Sequence, residues 1–142
     1  MTSISESLIE IHEHNEPDYM PLIDFQTWRV ALINYTADYL PEKIDRMQKH
    51  TETDEVFVLL AGRCILFLGE GDESVTKVQA VDMELYKLYN VKKGVWHSHT
   101  FSRDARVLVV ENYDTVLANS PFVDLSGTQR QEIVALTRKF WN

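Results

Sequence analysis

The residues with the most chemistry to offer stand in two short stretches. In "MQKHTETDEVFVLLAGR", residues 47–63, His50 is followed five residues later by Glu55, and Gly62 closes the apolar run 56–61. In "VWHSHTF", residues 95–101, His97 and His99 stand two apart. Imidazoles and a carboxylate together are a donor set for a divalent transition metal such as zinc, manganese, iron or nickel. An ion of that kind polarises a hydroxyl or carbonyl oxygen. The same side chains, without a metal, would hold a polar ligand by hydrogen bonds. Each residue alone reads as a surface group near a turn; the paired spacings are what suggest a site.

Strand parity decides whether they can meet. Side chains at i, i+2 and i+4 of a strand share a face. Arg46, Gln48 and His50 therefore line up, as do Glu55, Phe57 and Leu59, and Val95, His97, His99 and Phe101. If these faces point into one barrel, His50, Glu55, His97 and His99 converge near one end. His99 is then the group placed to move a proton. Arg46 would clamp a substrate carboxylate with its planar fork.

The elements that must carry these residues are short. Strand patterns occur at 27–36, 44–50, 55–61, 63–68, 83–91, 95–101 and 106–112, separated by Gly-, Lys- or Asp-containing turns. The run 56–61 reads as fully buried. Such spacing predicts an all-β sandwich or barrel of ten or more strands. Residues 1–25 read as an N-terminal arm with room for one short strand, 26–115 as the barrel core, and 126–141 as a C-terminal helix. In that helix Thr128 and Gln131 have capping-box spacing, and Ile133, Leu136, Thr137 and Phe140 form one stripe.

The chain of 142 residues suits one domain, and its single cysteine, Cys64, sits in an apolar run as a reduced core residue. A formal charge of −8 argues against nucleic acid as a partner. No stretch has the length or composition of a membrane span or secretory leader, which favours the cytoplasm. The His12/His14 pair reads as part of a solvated arm. Tyr19, Met20, Leu22, Phe25 and Trp28 put enough apolar surface near the start to predict a homodimer.

"HTETDEVFVLLAG" resembles the first motif of the cupin superfamily, a histidine, a glutamate and then a glycine. "KKGVWHSH" resembles the second, in which a histidine follows a glycine by three residues, here Gly94 and His97. The resemblance covers residues 44–112. It implies a double-stranded β-helix, a jelly-roll-like barrel, with a metal or small-molecule site held by His50, Glu55 and His97. The family's further histidine is replaced by Gln48, a weaker neutral ligand, and its usual proline and asparagine by Lys92 and Phe101. A narrower similarity, carried by Lys49, His50, Glu55, Phe57, Leu60, Gly62 and "VWH", is to ureidoglycolate lyases, which split ureidoglycolate into glyoxylate and urea. The function these features imply is a metal-dependent lyase or isomerase acting on a hydroxy acid, keto acid or sugar. The alternative is a metal-free, non-catalytic barrel that binds or senses a small ligand.

Overall fold

The computed structural model describes residues 3–142. Ten strands make two five-stranded antiparallel sheets, and one long helix follows. The first sheet runs β1 (Asp18–Phe25), β2 (Trp28–Asn34), β9 (Arg106–Asn112), β4 (Glu55–Ala61) and β7 (Leu88–Val91). The second runs β10 (Phe122–Asp124), β3 (Arg46–Gln48), β8 (Trp96–Phe101), β5 (Cys64–Glu70) and β6 (Lys77–Asp82). From β3 onward the chain alternates between the sheets, with β5 and β6 consecutive in the second. This rolls the two into the expected barrel.

Alternation fills the interior. Ala31 and Ile33 of β2, Phe57 and Leu59 of β4, and Val107 and Val109 of β9 face inward and meet Leu66 and Phe101 from the opposite sheet. Each such side chain contributes ~1.5–3 kcal/mol on burial. The second sheet is also covered on its outer face. There Ile65, Phe67, Val78 and Trp96 pack against Ile133 of α1 (Gly127–Trp141). That double cover explains the unbroken apolar run of β5, whose residues are buried on both faces.

Among the described residues no helix covers the outer face of the first sheet in this way. Its strand β4 alternates between buried Glu55, Phe57 and Leu59 and half-buried Val56 and Val58, so the run 56–61 is not wholly buried as expected. Instead its outer residues belong to an apolar face. Met20, Leu32, Leu108, Val58 and Leu88 lie in register across all five strands, with Ile23, Val30, Val110 and Val56 in the next row.

Several boundaries differ from expectation. Residues 18–25, assigned to the arm, form β1 and pair along β2. Of 83–91 only Leu88–Val91 is strand, and Tyr86 within the preceding turn has φ +65°. Strand β6 had no reading, because Lys77 and Gln79 dilute its apolar signal. The helix is capped by Ser126, whose hydroxyl accepts from the Gln129 N–H at 3.1 Å while Gln129 accepts from the Ser126 N–H at 3.0 Å. That box lies two residues before the Thr128/Gln131 pair. His12 is exposed, but His14 is buried: its Nε2 donates to Asp18 O at 2.8 Å, and its carbonyl accepts from Asn34 and Arg106. The arm is pinned to the barrel there.

Candidate metal centre

Backbone contacts fix the histidines before their side chains act. His50 lies just beyond β3, where Lys49 and Thr51 donate to the carbonyls of Pro121 and Asn119 at 3.1 and 3.0 Å. Gly94 sits at φ +80°, and its N–H donates to His50 O at 2.8 Å. The glycine of the second motif thus holds the histidine of the first, and β8 begins two residues later. One register pair, Gln48 with His97, joins β3 to β8. Gly62, at φ +71°, carries the chain from β4 into β5 where a Cβ would lie 2.6 Å from Ala105 backbone atoms.

The result is a closed cluster. His50 Nε2 and His97 Nε2 lie 3.1 and 3.0 Å from the same oxygen, Oε1 of Glu55, and all three donor atoms fall within 4.8 Å of one another. All three residues are buried. The far side of each ring is already committed. Val95 O can only accept, so His97 Nδ1 carries a proton and donates to it at 2.9 Å. Ser120 Oγ donates to Asn119 Oδ1 at 3.1 Å and accepts from His50 Nδ1 at 2.7 Å. In the neutral tautomers both Nε2 lone pairs therefore face a carboxylate oxygen. That arrangement is repulsive until a proton or a cation sits among the three. Ligands on adjacent positions of one ion, with bonds of ~2.1 Å, lie about 3 Å apart. The donor set and its spacing fit a divalent transition metal, and the Nδ1 partners are the usual orienting contacts of metal-bound histidines.

Protonation behaviour reflects the same contacts. Burial alone would raise the Glu55 carboxyl, but hydrogen bonds from His50 and His97 hold it well below the usual carboxylate range. Burial opposes charge on His97, yet Glu55 outweighs it and the imidazole is pushed up. His99 goes the other way: burial, with His97 beside it, pushes it down to about 4.

The cluster opens into a cavity of about 360 Å³. Gln48 lines it as well, beside His97 across the strand pair, with its amide nitrogen donating to Ser120 O at 2.9 Å. His99 also lines it, packed against Tyr39, Phe57 and Phe101. Neither of its ring nitrogens has a partner among the described residues, and both are shielded from water. The expected role in proton transfer would fall to this neutral, buried imidazole at the cavity wall. Arg46 does not line this cavity: its guanidinium stacks 3.7 Å above the Phe122 ring, and it borders a neighbouring cavity of about 670 Å³ that shares Gln48, His97 and His99. Lys49 lies over Trp96 on the outer face.

Arg29, Glu111 and Ser120 are among the cavity residues that had no sequence reading as site residues. Glu111 neighbours Glu55 across β9 and β4, since Val110 pairs with Val56. Tyr19, read only as apolar surface, donates from its hydroxyl to Glu111 at 2.6 Å. Burial, then the charge of Glu55, pushes Glu111 up to about 7. A usable signal existed: Arg29 and Glu111 are charged residues at inward positions of otherwise apolar strands.

Compared with models of known protein families and with curated protein sequences, the chain matches none. Solved structures do resemble it. Streptomyces PAC13, determined with uridine, aligns with a TM-score of 0.52 at 10% identity, over 87% of this chain and 98% of that one. WlaRA, a TDP-fucose-3,4-ketoisomerase from Campylobacter jejuni, aligns at 0.51 and 20% identity over 68% of each chain. A cupin-2 domain protein from Shewanella frigidimarina aligns at 0.47 and 18% identity, over 75% of this chain and 87% of that one. The likeness is one of fold: the chain has the cupin barrel, an all-β double-stranded β-helix with a C-terminal helix. Among the described residues no helix is long and apolar enough to cross a membrane.

Proposed function

We propose that this chain is a small metal-dependent enzyme, a lyase or isomerase acting on a hydroxy acid, keto acid or sugar. His50, Glu55 and His97 would hold one divalent ion, with zinc, manganese, iron and nickel all suited to the donor set. The observation that carries the reading is the convergence of two Nε2 atoms on one carboxylate oxygen while both Nδ1 atoms are committed elsewhere. The bound ion supplies Lewis acidity toward a substrate oxygen.

The protein's own groups do the rest. Glu55 meets both imidazoles through one oxygen, Oε1, and would serve as a ligand rather than a base. Ser120 and Val95 O keep both rings turned toward the centre. Phe57, Ile33 and Tyr39 wall the cavity and limit its water. Cleavage of ureidoglycolate is the narrowest form of this reading, supported by the likeness around His50 and His97.

A second reading, a metal-free ligand-binding barrel, is favoured by one observation: Glu55 and His97 already satisfy each other as a charged pair. Elemental analysis of the purified protein separates the two. About one equivalent of a transition metal, lost in His50→Ala, supports the metal centre. A metal-free protein that gains none on incubation with these ions, yet still binds a small ligand, supports the second reading. Turnover of candidate acids and sugars by the loaded protein then tests the enzyme.

A further inference from the structure

The cavity beside the triad has a charge asymmetry of its own. Arg29 is the one lysine or arginine lining it among the described residues. It stands at an inward position of β2, opposite Glu111 of β9, which in turn neighbours Glu55 of β4. Two strand-to-strand steps, about 5 Å each, thus separate the Arg29 backbone from that of a metal ligand. The guanidinium is pinned from behind: Nε donates to Asp24 Oδ1 at 2.9 Å. Nη1 donates to Thr115 O at 3.4 Å, the Tyr19 hydroxyl lies beside the guanidinium, and Asp24 is the one carboxylate paired with Arg29 within 4.0 Å among the described residues. Glu111, the obvious candidate, accepts the Tyr19 hydroxyl instead.

Glu55 and Glu111 of the cavity thus each already have a partner, while beyond Asp24 the Arg29 guanidinium meets only neutral groups, the Tyr19 hydroxyl and Thr115 O, and its positive charge has no carboxylate inside the cavity. A guanidinium held at Nε presents its two terminal N–H groups as a matched pair for a carboxylate. The volume suits a small molecule, lying near the low end of the ~300–1,000 Å³ seen for ligand sites.

We infer that Arg29 anchors the carboxylate of a small 2-hydroxy or 2-keto acid whose neighbouring oxygen faces His50, Glu55 and His97. This deepens the metal-centre reading and rests on it for the placement of that oxygen. It gives the role to Arg29 rather than to Arg46, which stacks on Phe122 and borders the neighbouring cavity. It favours acids over neutral sugars as the substrate class.

The test uses the full chain with one equivalent of Co²⁺, whose uptake is measured first. Lactate, pyruvate and the neutral isostere lactamide are then titrated by calorimetry against the parent, Arg29→Gln, Arg29→Lys and Arg46→Gln. Lactate and pyruvate should bind the parent about tenfold or more tighter than lactamide. Arg29→Gln should lose that advantage while leaving lactamide binding unchanged, whereas a merely structural role would weaken all three probes together. Arg29→Lys should retain part of it, and Arg46→Gln all of it. If Arg29→Gln fails to fold, Arg29→Lys decides, and unchanged lactate affinity in it overturns the inference. Equal binding of lactate and lactamide by the parent, or no binding of either acid, also overturns it. If no Co²⁺ is taken up, the metal-centre reading fails by itself. The anchor is then judged by the same titrations on metal-free protein.

Discussion

Metal affinity should climb with pH in a way that one side chain dictates. In the metal-free protein His97 donates through Nδ1 to Val95 O and faces Glu55 Oε1 with Nε2 at 3.0 Å, so its proton is stabilised above the ordinary value of 6.5. An ion binding at Nε2 must displace that proton. Below the raised pKa each pH unit changes the apparent affinity by about tenfold, or ~1.4 kcal/mol. Between pH 5.5 and 6.5 zinc should therefore bind about ten times more tightly, and the rise should flatten once the raised pKa is passed. The stability of the metal-free protein should run the other way. The His97 contribution is fully present below 6.5 and is lost as pH rises through the folded-state value. The Glu55 contribution is present above its ordinary 4.5 and is lost only as pH falls toward its depressed value. Together these two groups favour metal-free stability between about 4.5 and 6.5, whereas the loaded protein should gain on the alkaline side. Calorimetry in two buffers of different ionisation enthalpy counts the protons, and about one should leave per zinc at pH 6. A binding constant flat across that unit, with heats independent of buffer, would refute the reasoning.

Other outcomes follow from single contacts. Ser120→Ala removes the acceptor for His50 Nδ1 and should weaken metal binding by about 10–100-fold, measured by chelator competition; unchanged affinity counts against the orienting role. His99→Leu replaces two unpartnered buried nitrogens, so metal-free stability should hold or rise by up to about 1 kcal/mol. Denaturant unfolding showing a loss beyond about 2 kcal/mol would mean His99 has a partner in solution. Gly62→Ala forces a left-handed backbone on alanine and a Cβ against Ala105, and should cost about 2–3 kcal/mol or more; a loss near zero would show that the turn relaxes. The uncovered rows on the first sheet should pair two copies, giving a dimer by light scattering at micromolar concentration and a monomer in Leu108→Lys with unchanged metal content. A monomeric parent sinks that expectation.

The centre was legible in the sequence to an unusual degree because its three donors depend on local rules. A period of two puts Glu55 and His97 on inward faces, His50 follows β3 and is held by the Gly94 N–H, and Gly62 and Gly94 mark turns that need positive φ. Most of the strands, the buried cysteine and the closing amphipathic helix are likewise properties of short windows, whereas β6 and β10 carry too weak a pattern to be read that way. Parity, however, says which face a residue takes and not whether a neighbouring strand is still there to enclose it. Arg46 shares a face with Gln48 and yet borders only the neighbouring cavity, where β3 is joined to β8 by a single pair. The full burial of β5 and the open outer face of β4 differ only because α1 lies on one sheet and not the other. Arg29, Glu111, Tyr19 and Ser120 reach the cavity from segments 80 to 100 residues apart in places, by cross-strand register and a loop that returns beside His50. Local sequence determines a backbone's periodicity and its turns, since these are set by sterics within a few residues. Which strands become neighbours is settled by burial over the whole chain, and that is what placed the remaining side chains around the three donors.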